Sequence, residues 1–291
     1  MDRRTFLQLV PVLVLFPFFL QQQKKTTVAL SVDPNELICK NKFNLAGSMK
    51  LREKPINEVV VAIAKTFIGT DYAANTIDAP GKEQLIINLQ TLDCVTFYEN
   101  ALVLARCIKK NKSTFEDFKK ELQYVRYRGG VIDGYASRLH YTSDYFFEND
   151  RKSVLKDVTQ ELGGVLWRKE IKFMSTHPDS YLQLKNSPEN MDKIRKIEDE
   201  INARPRYSIP KATVQRIAPQ IKDGDIIGIT TTIDGLDCSH TGIALWQNGK
   251  LHLLHAPVPG SKVQITNLPL WEYLTKIKHD SGIIVARPVE P

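Results

Sequence analysis

The dipeptide Asn248–Gly249 constrains this chain most tightly. Both residues tolerate the positive φ that a two-residue type I′ turn demands, and apolar runs flank them, so the spacing predicts a β-hairpin. The turn then fixes the register: Gln247 pairs with Lys250, Leu245 with His252 and Gly242 with His255. Because side chains alternate between faces, His240 shares a face with Gly242 and His255, whereas His252 points the other way. The diagonal between such neighbours, roughly 7 Å, lets two imidazoles meet.

Further strand patterns run Ile226 to Thr231, Thr241 to Trp246, Leu251 to His255, Val263 to Ile265 and Ile283 to Arg287, which makes the C-terminal third a small antiparallel sheet. Helical periods come earlier. Ile56 to Phe67 carries Val59, Val60, Ala62 and Ile63 on one stripe and is stopped by Gly69. Asp93 is placed to cap a helix from Cys94 to about Lys110, and a second helix is expected from about Thr114 to Tyr124. The segment Glu83 to Leu89, rich in Ile and Leu, reads as a short strand-like run. Gly129 and Gly130 open a long loop containing Tyr135, Arg138, His140, Tyr141, Asp144 and Tyr145, a kind of loop that often carries function. Helices first and strands later indicate an α+β domain with its helices on one side of the sheet.

At the N-terminus, Arg3 and Arg4 precede an apolar stretch from Phe6 to Leu20 and a polar break at Gln21 to Gln23, the layout of an export signal. The stretch is short for a membrane span and Pro11 and Pro17 interrupt it. DRRTFLQ also resembles a twin-arginine signal, with Asp2 and Gln8 departing from the usual residues, and no clean cleavage site follows. Residues 1–23 are therefore expected to be an export signal or uncleaved anchor, 24–50 a linker or clasp, and 51–291 a single folded domain. This implies an exported protein of the periplasm or cell envelope, touching membrane only through that first segment.

The net charge of +7 favours anionic surroundings, but its Lys residues are dispersed and form no basic arm, so nucleic acid is not an expected partner. Cys39, Cys94, Cys107 and Cys238 are irregularly spaced without a CxxC pair, and no third ligand stands near the two hairpin histidines, which argues against zinc. No metal or cofactor is expected.

A thiol attacks a carbonyl only as the thiolate, and an unperturbed thiol with a pKa of about 8.5 is mostly protonated near neutrality. A helix start supplies positive potential and free amide donors, so Cys94 is the candidate nucleophile, with its own amide available to an oxyanion. His240 is the candidate base and His255 its orienting partner, the logic of covalent catalysis. The plain alternatives are a buried structural cysteine and packed strand histidines. Cys238, in Asp237-Cys238-Ser239, looks like a second nucleophile but precedes a strand and lacks a helix dipole.

At these residues the chain resembles the NlpC-type cysteine peptidases of bacterial walls, through Asp93-Cys94, His240-Thr241-Gly242-Ile243 and His255-Ala256. LDCVTFYEN, GYASRLHYTSDY and SHTGIAL more closely resemble a domain family, formerly of unknown function, whose characterised members are N-acetylmuramoyl-L-alanine amidases. This likeness runs from about Pro55 to the end. It implies a papain-like fold, helices packed on the C-terminal sheet, and hydrolysis of the bond between the muramic acid lactyl group and L-Ala in peptidoglycan or its muropeptide fragments. Carried over by position, Cys94 is the nucleophile, His240 the base and His255 the orienting residue, with Arg138, His140, Tyr141 and Asp144 near the substrate. Cys238 departs from the family's usual residue at its position. Two alternatives stay open: a γ-D-glutamyl endopeptidase using the same residues, and a non-catalytic wall-binding protein on the same scaffold.

Overall fold

The computed structural model describes residues 33–291, which form one unit; the expected export segment lies outside them. Five helices come first: α1 (Pro34–Ser48), α2 (Ile56–Lys65), α3 (Cys94–Lys109), α4 (Phe115–Arg126) and α5 (Thr142–Arg151). A short parallel pair, β1 (Asp71–Tyr72) and β2 (Thr91–Leu92), leads into α3. The chain continues through β3 (Leu155–Asp157), β4 (Val165–Leu166), α6 (Phe173–Thr176), α7 (Pro188–Ala203), β5 (Tyr207–Pro210) and α8 (Lys211–Ile217). It ends with β6 (Ile226–Thr231), β7 (Cys238–Gln247), β8 (Lys250–His255), β9 (Gln264–Ile265), α9 (Leu270–Lys276) and β10 (Asp280–Pro288).

The main sheet is antiparallel throughout, in the order β4-β5-β10-β6-β7-β8-β9, with β3 also pairing with β10. The hairpin has the expected register, Gln247 against Lys250 and Leu245 against His252, around Asn248 and Gly249 at φ 51° and 73°. The sheet is larger than a C-terminal unit, because β3, β4 and β5 join it from the middle of the chain. Nor do the helices occupy one side only. Ile226, Ile243 and Leu245 pack with α2 and α3, whereas Ile227, Ile229, Ala244 and Leu253 pack with α8 and α9. Every residue of β6 is buried, as expected of an apolar run covered on both faces.

Of the expected linker or clasp at residues 24–50, the described part from Asp33 onward holds α1, which buries Cys39, Phe43 and Ala46 in the main core. Its Lys42 lies 3.5 Å from the Phe67 ring centre and donates to Thr66 Oγ1 at 2.7 Å. Glu83–Leu89 forms no strand. Its carbonyls are satisfied by side chains instead, Ile86 O by Arg126 Nη1 at 2.6 Å and Gln84 O by the Tyr127 hydroxyl at 3.2 Å.

α3 is the axis of the helical layer, buried continuously from Thr96 to Ile108 between α1, α2, α4 and the sheet. A helix enclosed on all sides must pair the polar groups it carries inward. Glu99 meets Arg126 of α4 at 2.6 Å, and Arg106 meets Glu121 at 2.7 Å. Both members of the first pair are almost fully buried. Replacing Arg126 by Met should therefore strand the Glu99 carboxylate and cost about 3–5 kcal/mol of unfolding free energy. Urea denaturation checks this, and Glu99→Gln in the same background should recover part of the loss.

Candidate active site

Cys94 is the first residue of α3. Asp93 caps it: its Oδ1 accepts from the amides of Val95 at 3.0 Å and Thr96 at 2.7 Å, and Thr96 Oγ1 accepts from the Asp93 amide at 2.9 Å. This reciprocal box fixes the entry angle of the chain and leaves the Cys94 amide among the donors that have no carbonyl one turn back. Cys94 is partly exposed.

β7 passes beside this helix start. Thr241 Oγ1 donates to the Cys94 carbonyl at 2.9 Å. His240 precedes Thr241 and is partly exposed, at a shift of register between β6 and β7 that falls between Ile229–His240 and Thr230–Cys238. Such an irregularity re-aims the side chains around it. His240 Nε2 lies 2.7 Å from His255 Nδ1, the rings meeting nearly at right angles, so Nδ1 of His240 is the nitrogen left for a thiol proton. His255 is 2% exposed and carries Tyr273 of α9 against it, edge to face at 5.6 Å. The structure thus brings the two histidines into direct contact and ties the residue beside His240 to Cys94. No direct hydrogen bond between the sulfur and the imidazole is present among the described residues.

Gly242 makes the histidine contact sterically feasible. A Cβ there would stand 2.7 Å from Leu253 Cγ and 2.9 Å from the Leu254 carbonyl, so any side chain would push β7 and β8 apart.

The electrostatics of the site differ from the expectation of a lowered thiol pKa. Burial, and then the Asp93 carboxylate, push the Cys94 thiol up to about 11 against the pull of Thr241. Burial, with His255 adding, holds His240 down at about 3, and burial holds His255 at about 4. Cost of desolvating the charged form outweighs the helix start, and the resting site is neutral: thiol, imidazole, imidazole. Two tyrosines that the sequence reading did not single out stand within electrostatic range of the sulfur, Tyr72 of β1 and Tyr273. Both phenols are pushed up by burial first, so both remain donors. Only their convergence in space marks them.

A family model for AmiA-like, N-acetylmuramoyl-L-alanine amidase-like proteins matches residues 62–283. The chain belongs to this amidase-like family. An N-acetylmuramoyl-L-alanine amidase from Bacteroides uniformis is similar to it at 38% identity and a TM-score of 0.76, covering 80% of this chain and 98% of its own. A Bacteroides fragilis protein described as a candidate xylanase is similar at 41% identity and a TM-score of 0.74, covering 78% and 99%. A Legionella pneumophila protein shares the fold at 21% identity and a TM-score of 0.63, covering 87% and 95%. No curated protein sequence matches the chain.

In this amidase-like chain the remaining candidates are occupied by their own fold. Arg138 is buried between Asp78 at 2.8 Å and Glu83 at 3.2 Å, beside the Tyr135 ring. His140 Nε2 meets the Tyr135 carbonyl at 2.9 Å, and burial holds its pKa at about 3. The Tyr141 hydroxyl donates to Glu198 at 2.7 Å and accepts from the Met174 amide at 2.9 Å. Asp144 is clasped by Arg128 and Arg204, each at 2.6 Å. Cys238 is buried at the start of β7, with its thiol pushed well up by burial, which makes it inert as a nucleophile.

Three histidines held in the neutral form give the stability a pH signature. Unfolded imidazoles take up protons below about pH 6.5. The folded ones do so only near 3 for His140 and His240 and near 4 for His255, so in between the unfolded state binds more protons and stability falls as pH is lowered. The urea midpoint should decline from pH 7 to 4.5, and decline less in His240→Asn. In NMR titrations the His240 ring protons should hold their chemical shifts across that range, and those of His255 should begin to move only at its acid end.

Proposed function

We propose that the protein is a cysteine-dependent N-acetylmuramoyl-L-alanine amidase of papain-like arrangement, exported to the cell envelope, where it cuts peptidoglycan or its fragments. The observation that carries this reading is the 2.7 Å bond between His240 and His255 beside a cysteine at the capped start of α3. Nucleophile, base and orienting group are then arranged in the order covalent catalysis needs.

Because the resting site is neutral, the proton moves as the reaction begins. Catalytic hydrogen bonds commonly tighten only when substrate binds, so closure of sulfur on His240 Nδ1 belongs to the complex. His240 takes the thiol proton at Nδ1 as Cys94 attacks the lactyl carbonyl, and its Nε2–H donates to His255 Nδ1, which holds the ring. The oxyanion that forms faces the Cys94 amide and the Tyr72 phenol, donors of the kind worth about 3–4 kcal/mol in a transition state. The tetrahedral intermediate collapses as His240 returns its proton to the leaving L-Ala nitrogen, leaving a lactyl thioester. Water, deprotonated by the same imidazole, then releases the sugar acid and the thiol. Arg138, His140, Tyr141 and Asp144 act by holding the wall of the site, since their polar atoms are engaged within the protein.

The xylanase description of one similar protein suggests a glycosidase, which requires two carboxyl groups flanking a glycosidic bond. Asp93, the carboxylate adjoining the thiol, is committed to the cap. Purified protein incubated with defined muropeptides should release the intact stem peptide, measured by mass spectrometry. Cys94→Ala and His240→Ala should each lower the rate by about 10³-fold or more. L-Ala-D-Glu left on the sugar would assign the endopeptidase reaction instead, and unchanged release by Cys94→Ala would end the thiol mechanism.

A further inference from the structure

A cleft of about 550 Å³ lies between the segment after β4 and the C-terminal end of α7, lined among others by Trp167, Arg168, Lys169, Asn202, Arg204 and Arg206. Its charge is poorly balanced. Among the described residues, none of Arg168, Lys169 and Arg206 has a carboxylate within ion-pair distance, whereas Arg204 is spoken for by Asp144. Lys169 Nζ donates to the carbonyls of Thr231 and Ile233, which bind its hydrogens without cancelling its charge. Arg206 Nη2 donates to the carbonyl of Lys169 and to Asn202 Oδ1, and its Nε and Nη1 have no protein acceptor. The guanidinium lies 5.4 Å from the Trp167 ring centre, an arrangement that presents a cation backed by an indole.

The acidic groups nearby do not restore neutrality. Glu170 and Asp234 are both paired with Lys172, at 2.7 and 3.7 Å, and Asp234 also lies within electrostatic range of Lys169. The buried Asp237, within range of Lys169 and Arg206, accepts from the amides of Ser143 at 2.7 Å and Cys238 at 2.6 Å. Asp199 also lines the cleft and forms no ion pair among the described residues. Partly desolvated cations without counter-ions are costly unless an anion completes them. The cleft also lies toward the catalytic end of the sheet. Lys169 is bonded to the β6–β7 connection, and Cys238, two residues before His240, is within electrostatic range of both Lys169 and Cys94.

We propose that this cleft is a subsite for the carboxylates of the stem peptide, engaging the acidic peptide while its N-terminal amide lies at Cys94. It rests on the amidase reading above. Free stem peptide of sequence L-Ala, γ-linked D-Glu and a diamino acid is a product, so the wild-type full chain can be titrated with it by calorimetry. The peptide should bind, and blocking its carboxylates as amides should weaken binding about tenfold or more, the loss expected when charge complementarity is removed. Arg168→Glu, a change at an exposed position, should weaken the acidic peptide similarly and leave the amidated one unaffected; Arg168→Gln should do so more mildly. With muropeptide substrates, Arg168→Glu should raise KM while leaving kcat unchanged. Equal binding of acidic and amidated peptides, affinity indifferent to Arg168→Glu, or no binding heat at millimolar peptide would each overturn the proposal. The expected binding pattern without cleavage of the lactyl amide would keep the subsite and overturn the reaction; cleavage without that pattern would do the reverse.

Discussion

The bond from Thr241 Oγ1 to the Cys94 carbonyl joins the two halves of the fold at the point where chemistry would occur. On one side of it is a helix enclosed by three others, fixed along its length by apolar packing and the Glu99–Arg126 pair. On the other is a hairpin whose register is set by its turn. Neither half could place a sulfur and an imidazole within reach of each other alone. Each is rigid for its own reason, and the contact between them inherits the precision of both.

That rigidity has an electrostatic consequence. Enclosing α3 and covering His255 with Tyr273 removes water from the three reacting groups and favours their neutral forms. A permanently ionised thiol would be the more reactive in isolation, yet it would stand beside the Asp93 carboxylate that caps the helix. The fold uses that carboxylate for geometry, and in the proposed reaction the sulfur would gain its charge only as His240 accepted the proton, with Tyr72 and the Cys94 amide as the candidate donors to the oxyanion.

Much of this could be read from local pattern. Asp93 before Cys94, the stripe of α2 and the Asn248–Gly249 turn each follow from interactions within a few residues, and each element is found where the pattern places it. The middle of the chain was less legible. β3, β4 and β5 have two to four residues each, too few for a period to emerge, and exist because β10 and its neighbours offer edges to pair with. Glu83–Leu89 has the composition of a strand, but Arg126 and Tyr127 satisfy its carbonyls before any strand can. Arg138, His140, Tyr141 and Asp144 have a composition suited to binding, and only their partners reveal how far they are committed to contacts within the fold.

The sequence by itself determined the cap, the hairpin register and the shared face of His240 and His255, because caps, turns and strand alternation are short-range and depend on residue type and spacing. Tertiary structure decided which imidazole nitrogen is free, how far burial shifts the three titrating groups, which tyrosines come within electrostatic range of the sulfur and where cations gather without counter-ions. Those properties depend on distances between separate segments, 147 residues apart for Cys94 and Thr241, and on the water that their packing excludes, neither of which is written in any local pattern.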